Sequence, residues 1–401
     1  MIRAGVLLIL CLSVCKFCDA EKRLSPVIIV PGLGGSRLEA KLNRTDSVHF
    51  LCRKTTTDYF SIWFSFEFLV PFVKQCWMDN IKLTYDNETR TTNNHPGVDI
   101  RVEGFGDPKY VEWLDSEQKL VGVFNTMAES LVELGYVRNE SLRGAPYDFR
   151  KGPSESGRYF ENLKSLVEFT YEINGDRKVT LLAHSMGAPM SAIFLRRQQQ
   201  SWKDKYIRGL ISLNGVFAGS VKALKTYVVG DDLNEFFIPE SFLKTLQISS
   251  SSLPLLMPYS GLWKDRILVE TPSKNYSMDN IEEFFTDIGY ATGWEMWKDQ
   301  LPHLTLEPPG VEVHCLYGTG IPTITQLLYN QPSHFPNKPA FKYGAGDGTV
   351  NLESLDSCSR WTKQQKQKVY VQGFPGMDHN QILSDSRVLK YVSDVLSNYL
   401  Q

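Results

Sequence analysis

The pentapeptide Ala-His-Ser-Met-Gly at residues 183–187 is the segment whose residue types and spacing point most directly to chemistry. It follows a short apolar run and opens a segment with helical periodicity, and this strand–turn–helix context is typical of a nucleophile elbow. So sharp a turn needs small residues two positions before and two after the serine, and Ala183 and Gly187 meet that need. The pattern therefore predicts Ser185 as a catalytic nucleophile, with an ordinary strand-to-helix turn as the alternative.

A nucleophilic serine needs a histidine as its base, and in proteins with this elbow the histidine follows the serine in the chain. Of the seven histidines, His379 lies after a late apolar run and before the last helical segment, so we predict it as the base. His184 is the neighbour of the serine and is expected to point away from it. The other histidines precede the serine, alternate within a strand or lie in Pro-rich loops: His49, His95, His303, His314 and His334.

The carboxylate that orients this base is expected between the serine and the histidine in the chain. Asp347 lies in a glycine-rich stretch at residues 344–349, where flexible surroundings let a carboxylate turn inward. Asp356 lies in a stretch with a helical pattern, and Asp378 is adjacent to His379 and cannot easily face its Nδ1 atom. The sequence therefore predicts Asp347 as the acid, with a plain Asp-Gly turn or a calcium loop as the alternative.

A reacting carbonyl also needs two backbone N–H groups that are directed at its developing negative charge. One is expected from the residue after the nucleophile, Met186. The other is expected from the turn Pro-Gly-Leu-Gly-Gly at residues 31–35, where Leu33 is placed to donate. Only the backbone donates, so the side chains at these two positions are loosely constrained.

The elements that must position these residues are visible as an alternation of apolar runs and helical patterns. Continuous apolar runs predict buried strands at residues 26–31, 179–183, 207–213, 311–317 and 368–371. Helical periodicity predicts helices at residues 124–134, 159–173, 187–199 and 386–400. This alternation indicates a mostly parallel sheet wrapped by helices, and together with the elbow it predicts an α/β-hydrolase fold.

Two stretches do not follow this alternation and are predicted to be insertions over the top of the sheet, where open α/β folds bind ligands. They cover residues 45–100, as a membrane-binding insertion, and residues 217–310, as a lid. Within the first, residues 60–73 are strongly aromatic and carry a single charge. Such a segment favours membrane contact with Trp63 and Phe64 at the interface, and burial in an ordinary core is the alternative.

The N-terminal residues predict entry into the secretory pathway. Arg3 precedes an apolar run at residues 4–15, and Cys-Asp-Ala follows at residues 18–20. The run is too short to span a bilayer, so residues 1–20 are predicted to be a cleaved signal peptide, with an uncleaved anchor as the alternative. The mature chain, residues 21–401, is expected to act in the lysosome or outside the cell.

The cysteines and the Asn-x-Ser/Thr sequons fit that compartment. Three of the seven cysteines leave with the signal peptide, and the shortest loops join Cys52 to Cys76 and Cys315 to Cys358. A zinc site is the alternative, although no C-x-x-C or H-x-x-x-H spacing is present. The sequons predict glycosylation at Asn43, Asn87, Asn139 and Asn275. The net charge of −2 gives no electrostatic footprint for nucleic acid, no cofactor or metal is predicted, and a monomer is expected.

Several longer strings resemble the lecithin–cholesterol acyltransferase family, most closely its lysosomal phospholipase A/acyltransferase members. Besides the elbow they lie at residues 38–41, 143–148, 202–208, 315–319 and 346–350, so the resemblance covers essentially the whole mature chain. The resemblance implies the same triad (Ser185, Asp347 and His379), and the same oxyanion donors (Leu33 and Met186). The family's two disulfides match the two cysteine pairs.

The resemblance also implies the activity, a serine-dependent and calcium-independent phospholipase A and acyltransferase. Ser185 would take an acyl group from a glycerophospholipid in a membrane or lipoprotein surface and pass it to water or to a lipid hydroxyl such as that of ceramide. Lys222 matches a basic lid position and could meet the phosphate. The alternatives are a sterol-type O-acyltransferase, a soluble carboxylesterase, and an inactive lipid-binding protein.

Two segments depart from the lysosomal members of the family. Those members carry an aspartate where Leu33 stands, and residues 213–219 replace their Pro-Trp-Gly-Gly type loop. A neutral Leu33 removes an acidic group from beside the oxyanion hole, so we expect more activity toward neutral pH than in a relative with aspartate there. The second departure bears on the contacts of the lid with substrate.

Overall fold

The apolar runs of the sequence form strands, and the segments with helical periodicity form helices, in the computed structural model of the protein. Each predicted strand and helix is present, with ends shifted by a few residues. The structure describes residues 24–63, 65, 70, 73–115, 120–233, 239–331, 335 and 338–398. The predicted signal peptide, residues 1–20, lies outside the described residues.

The strands are short and occur along the whole described chain. In order they are β1 (Val27–Val30), β2 (Leu38–Leu42), β3 (Phe60–Trp63), β4 (Leu83–Asp86), β5 (Thr91–Asn94), β6 (Val98–Val102), β7 (Leu142–Gly144), β8 (Val179–His184), β9 (Ile207–Leu213), β10 (Val269–Glu270), β11 (Asn275–Tyr276), β12 (Val313–Thr319), β13 (Thr323–Leu328), β14 (Ala340–Gly344) and β15 (Val369–Pro375).

The helices range from single turns to the long α4. In order they are α1 (Val73–Ile81), α2 (Lys109–Glu112), α3 (Asn125–Leu134), α4 (Gly157–Ile173), α5 (Gly187–Arg196), α6 (Gln200–Tyr206), α7 (Val221–Val229), α8 (Glu240–Ser249), α9 (Ser252–Leu255), α10 (Ser260–Trp263), α11 (Ile281–Asp287), α12 (Ala291–Gln300), α13 (Leu352–Leu355) and α14 (Ser386–Asn398). Short 3-10 segments lie at Met278–Asn280, Leu301–His303, Asp356–Lys363 and Gln381–Leu383.

The central sheet has the strand order β15-β12-β9-β8-β1-β7, and each strand pairs with its neighbour in parallel. Helices cover both faces of a parallel sheet, which is why most of these strands are continuous apolar runs in the sequence. The sheet brings the carboxyl ends of its strands to one edge, and the loops after β1, β8 and β15 carry predicted site residues. This arrangement is the predicted α/β-hydrolase fold.

The two faces of the sheet pack against different helices, because successive residues of a strand point to opposite sides. Leu181 of β8 belongs to the buried cluster that includes Leu163 of α4. Leu182, the next residue, belongs to the cluster that includes Met127 of α3 and Val392 of α14. Both faces of the strand that leads to the predicted nucleophile are therefore fixed by packing.

The two irregular stretches contain sheets of their own. In the first, residues 45–100, β4 pairs with β5, and β3 and β6 pair in antiparallel with β2, which lies just before its predicted start. In the second, residues 217–310, β10 pairs in parallel with β13, which lies beyond its predicted end. The division of the chain into a core and two insertions stays a prediction. In the described part of the chain, no helix is long and apolar enough to cross a bilayer.

The predicted cysteine pairs are both present as disulfides, which contradicts the zinc alternative for these four residues. Cys52 is joined to Cys76 with a Cα–Cα distance of 5.3 Å, and Cys315 to Cys358 with a distance of 6.6 Å. The first links the start of α1 to a surface turn, and the second links β12 to a 3-10 segment. The four sequon asparagines are all solvent-exposed, as glycosylation requires: Asn43, Asn87, Asn139 and Asn275.

Candidate active site

Ser185 occupies the sharp turn between β8 and α5 with a left-handed backbone φ of 54°. Such a conformation is strained for a residue with a Cβ atom and persists only where the surroundings enforce it. The Ser185 amide donates to the carbonyl of Leu213 at 3.0 Å, which ties the turn to β9. A Cβ on Gly187 would lie 2.4 Å from the carbonyl oxygen of Pro31, so α5 can approach β1 only with glycine there. This is the geometry of a nucleophile elbow.

The structure brings Ser185, His379 and Asp347 into one hydrogen-bonded chain. Ser185 Oγ lies 2.9 Å from His379 Nε2, and His379 Nδ1 lies 2.7 Å from Asp347 Oδ2. All three side chains are buried, and Asp347 has no exposed surface. When the Nδ1–H group donates to the carboxylate, neutral His379 presents the lone pair of Nε2 to the serine hydroxyl. This is the tautomer that a general base needs.

The carboxylate of Asp347 is held on both of its oxygens. Oδ2 accepts from His379, while Oδ1 accepts from the backbone amides of Val350 at 2.7 Å and Thr349 at 2.9 Å. Asp356, an alternative acid in the sequence, instead accepts from the hydroxyl of Tyr317 at 2.8 Å. The glycine-rich loop therefore turns Asp347 inward as predicted, and the geometry favours it over Asp356.

Two residues that the sequence did not indicate hold the main chain of His379. His184 Nε2 lies 2.9 Å from the His379 carbonyl oxygen, and Asn214 Nδ2 donates to the same oxygen at 3.0 Å. Asn214 Oδ1 in turn accepts from the amide of Gly318 at 2.7 Å. The sequence predicted only that His184 points away from Ser185. In the structure its ring also contacts the main chain of the predicted base, His379. For Asn214, the one signal in the sequence was its position directly after the apolar run of β9.

The surroundings of His184 also affect its own protonation. Burial, with a smaller contribution from the neighbouring His379, lowers the pKa of His184 to about 3. The ring is therefore neutral at physiological pH and carries a single N–H group. Because Nε2 faces the His379 carbonyl, that N–H group is on Nε2 and acts as a fixed donor.

The predicted oxyanion donors both lie in segments that adjoin the nucleophile. The turn at residues 32–35 is closed by a hydrogen bond of 3.1 Å from its last amide to its first carbonyl. A Cβ on Gly32 would lie 2.8 Å from the Cβ of Ser185, so this turn rests directly against the nucleophile. Leu33 follows in the turn and lines the same cavity as Ser185, while Met186 precedes the first residue of α5. Their backbone roles stay a prediction.

A cavity of roughly 190 Å³ opens beside Ser185 and His379. Most of its lining is apolar, and Phe149, Leu246 and Leu253 are among the residues that form it. Apolar clefts with a few placed polar groups are the usual form of small-molecule and lipid sites. The arrangement can therefore hold an acyl chain with its ester carbonyl at the nucleophile.

Trp63 lies in this cavity wall, which contradicts the prediction that it is an exposed membrane anchor. Its side chain is only 4% exposed and packs on Phe149, with ring centroids 5.1 Å apart. Its Nε1–H group donates to the carbonyl of Gly34 at 2.7 Å. The polar edge of the indole is satisfied by the protein, so no part of the ring is left for a lipid interface. Phe64 lies outside the described residues.

The exposed apolar side chains of this region include Val70, which is exposed by 49%, and three residues beside the first disulfide. Val48, Phe50 and Leu51, which we call the apolar tip, are exposed by 54%, 85% and 56%. They surround a turn closed by a hydrogen bond from the amide of Cys52 to the carbonyl of His49. Exposed large apolar side chains that adjoin one another mark interaction surfaces more often than scattered ones do.

Lys222 lines the cavity, as its predicted contact with substrate requires. Its ammonium group lies 3.4 Å from Asp231, which also pairs with Lys225 at 3.1 Å. Burial alone would raise the pKa of Asp231, but the two ammonium groups hold it below its ordinary value. Lys225 also pairs with Glu240 at 2.8 Å, so the two ammonium groups of this cluster face two carboxylates.

Comparison with known proteins gives one consistent family. The sequence profile described as lecithin:cholesterol acyltransferase matches residues 59–388. Lysosomal phospholipase A and acyltransferase from Homo sapiens is 43% identical over 379 residues, which cover 93% of this chain and 91% of that protein. Phosphatidylcholine-sterol acyltransferase from Gallus gallus is 42% identical over 365 residues, which cover 90% of this chain and 87% of that protein.

A similar fold is also present among solved structures. A chain in the crystal structure of the Tle4-Tli4 complex superposes with a TM-score of 0.54. The match covers 94% of this chain and 98% of that one, at 12% sequence identity. At so low an identity the likeness concerns the fold alone.

Proposed function

This chain belongs to the lecithin:cholesterol acyltransferase family, and from that premise we propose that it is a serine-dependent phospholipase A and lipid acyltransferase. Its substrates are acyl esters of glycerophospholipids in membranes or lipoprotein surfaces, and its acceptors are water or a lipid hydroxyl such as that of ceramide. The observation that carries the proposal is the hydrogen-bonded chain of Ser185, His379 and Asp347 beside an apolar cavity.

In the first half-reaction, Ser185 Oγ attacks the ester carbonyl carbon while its proton moves to His379 Nε2 across a contact of 2.9 Å. The carbonyl oxygen becomes an oxyanion that the amides of Leu33 and Met186 stabilise. Asp347 stabilises the imidazolium that forms. The bond between the acyl carbon and the glycerol oxygen then breaks, and that oxygen takes the proton from His379. The lysophospholipid leaves, and the acyl group stays on the serine.

In the second half-reaction, His379 removes a proton from water or from a lipid hydroxyl, and the oxygen attacks the acyl-serine. The same amides stabilise the second oxyanion, and the serine oxygen leaves with the proton from His379. Water gives a free fatty acid, and a lipid hydroxyl gives a new ester. An apolar cavity favours transfer because it lowers the local water concentration relative to that of a lipid alcohol.

Replacing Ser185 with alanine tests the proposal directly. We expect fatty acid release from phosphatidylcholine liposomes to fall by at least about 10³-fold, because the triad acts as a unit. Ser191→Ala is the matched control, because Ser191 is buried on the adjoining helix and its hydroxyl donates to the carbonyl of Gly187. Appreciable turnover by the Ser185 variant would contradict the proposal.

The acceptor is tested in the same assay with ceramide added to the liposomes. We expect an acylceramide product to appear at the expense of free fatty acid, while the total rate of phospholipid cleavage stays similar. If free fatty acid is the only product at every ceramide content, the chain is a hydrolase and the transfer part of the proposal is wrong. If only soluble short esters are cleaved, the chain is a carboxylesterase.

We propose further that the chain meets its substrate through the apolar tip. The support is the exposure of Phe50 by 85% beside a disulfide that stiffens its turn. Burial of one such ring in a membrane contributes roughly 2 kcal/mol, so Phe50→Ser should weaken vesicle binding by about 30-fold. Phe169→Ser is the control, because Phe169 is exposed by 48% on α4. Equal vesicle binding by both variants would place the contact elsewhere.

Lys222 is proposed to pair with the phosphate of the substrate, supported by its position in the cavity wall. Lys222→Gln should then raise KM for phospholipid and leave KM for an uncharged short ester unchanged.

We assign the chain to the lysosome or to the outside of the cell, which the lysosomal name of its relatives and the exposed sequons support. We also propose that it acts as a monomer, which light scattering of the glycosylated protein would test.

A further inference from the structure

Trp63 is buried at the wall of the catalytic cavity, and we propose that it is a positioning residue for the oxyanion hole. In this role it acts through the turn at residues 32–35 and not on substrate or membrane. The inference rests on the proposed serine mechanism, in which the backbone amide of Leu33 stabilises the oxyanion. It assigns an amide-orienting function to a side chain that the sequence placed at a lipid interface.

The contact that carries the inference joins Trp63 to the middle of the oxyanion turn. Its Nε1–H group donates to the carbonyl oxygen of Gly34 at 2.7 Å. Gly34 has a φ of 75°, and a Cβ there would lie 3.2 Å from the indole ring. The third position of a β-turn adopts a positive φ when the central peptide is flipped, so glycine is preferred. The positive φ therefore favours glycine at this position, and the indole packs against Gly34 and binds its carbonyl.

The residues on either side of the turn are held independently of Trp63. The hydroxyl of Tyr147 donates to the carbonyl of Pro31 at 3.0 Å, and the amide of Tyr147 donates to Ser36 Oγ at 3.0 Å. Within the turn, the carbonyl bound by Trp63 shares a peptide plane with the Gly35 amide, which donates to the Gly32 carbonyl at 3.1 Å. That carbonyl shares its plane with the Leu33 amide. Trp63 therefore acts on the Leu33 amide through the hydrogen bond that closes the turn.

Trp63 is itself held rigidly enough to do this. It is the last residue of β3, where it pairs with Leu38 of β2, which begins shortly after the turn. Trp77 packs against it with ring centroids 6.2 Å apart and donates from Nε1 to the carbonyl of Ile62 at 2.7 Å. The neighbour of Trp77, Cys76, is in the first disulfide. The indole thus has little freedom to follow a moving turn.

The test is Trp63→Phe, which keeps an aromatic ring in the wall and removes the N–H group together with part of the indole, a loss of ring area that the control variant shares. Trp361→Phe is the matched control, because Trp361 is buried and its Nε1–H group donates over the same distance of 2.7 Å to the carbonyl of Leu306, which is not in the turn. Kinetics use a soluble short ester such as p-nitrophenyl butyrate, so that membrane binding does not enter. Affinity is measured for an alkyl trifluoromethyl ketone, whose carbonyl becomes an oxyanion when Ser185 Oγ adds to it.

Removing an oxyanion donor outright costs about 10²–10³-fold in kcat, so loosening one should lower kcat of Trp63→Phe about 10-fold. We expect the ketone to bind weaker by the same factor, while KM for the ester changes by less than about twofold. Trp361→Phe should keep kcat and ketone affinity.

Three results would overturn the inference. The first is an equal loss in both variants, and the second is no loss in either. The third is a raised KM with unchanged kcat for Trp63→Phe, which would make Trp63 a cavity wall only. Failure of the serine mechanism itself is detected separately, by residual turnover of Ser185→Ala.

Discussion

Replacing Asn214 with alanine should lower both the stability and the turnover number, through separate hydrogen bonds. Its Oδ1 atom accepts from the Gly318 amide at 2.7 Å, and its Nδ2 group donates to the His379 carbonyl at 3.0 Å. The Gly318 amide would be left buried without this acceptor, whereas the His379 carbonyl would still have His184. The buried Gly318 amide loses its acceptor, and the His379 carbonyl loses one of its two hydrogen bonds. Together these losses lower the free energy of unfolding by about 2–4 kcal/mol.

The effect on turnover comes from the freedom that the His379 main chain gains. A displacement of the base by even a fraction of an ångström weakens its contact with Ser185, so kcat should fall roughly 10- to 100-fold with little change in KM. The assays are urea unfolding and hydrolysis of a soluble short ester.

Asn174→Ala is the control for this prediction, because Asn174 is buried and its Nδ2 group donates to the carbonyls of Thr170 and Glu140. The control should lose stability and keep kcat. If Asn214→Ala is as destabilised as calculated but retains full kcat, Asn214 supports the fold and the reasoning about the base is refuted.

The remaining predictions concern pH and the second disulfide. Because burial lowers the pKa of His184 to about 3, the unfolded chain binds a proton that the folded chain excludes. The free energy of unfolding should therefore fall as pH drops below about 6.5, by up to ~1.4 kcal/mol per pH unit, and His184→Gln should flatten this slope in urea unfolding. Leu33→Asp should shift the pH profile of liposome hydrolysis toward acid. An ionised carboxylate at this position repels the oxyanion, and protonation of the carboxylate removes the repulsion. Identical pH profiles of the two forms would show that another group sets the pH dependence. Replacing Cys315 and Cys358 together with serine should lower the free energy of unfolding by about 2–5 kcal/mol while the activity per folded molecule is retained.

The fold could be predicted where its elements produce a local pattern. β8 and β9 are buried on both faces, so they are continuous apolar runs that stand out in the sequence. β7 has only three residues, Leu-Arg-Gly, which is too short for any periodicity to appear, although it forms one edge of the central sheet. The pairing of β10 with β13 was equally invisible, because neither strand shows which distant partner it will meet.

The chemistry of the site was predictable because it depends on residue type, chain order and turn sterics, all of which act between near neighbours. Small residues around Ser185, glycines around Asp347 and the late position of His379 are readable without coordinates. Their mutual distances are a property of the closed sheet, which brings together loops that lie far apart along the chain.

The three residues of the hydrogen-bonded chain and the two disulfide pairs could therefore be predicted from local patterns. The contacts that hold these residues, and the aromatic residues that face solvent, depend on tertiary packing. An indole suits a core and a membrane interface equally well, because it has an apolar body and one polar edge. Trp63 is buried because Phe149 covers its ring and Gly34 accepts from its edge, and both contacts exist only after folding. Asn214 reaches the His379 carbonyl across 165 residues of chain for the same reason. Local sequence patterns reflect interactions between residues that are close in the chain. Hydrogen bonds between distant segments produce no such pattern, so they cannot be predicted from it.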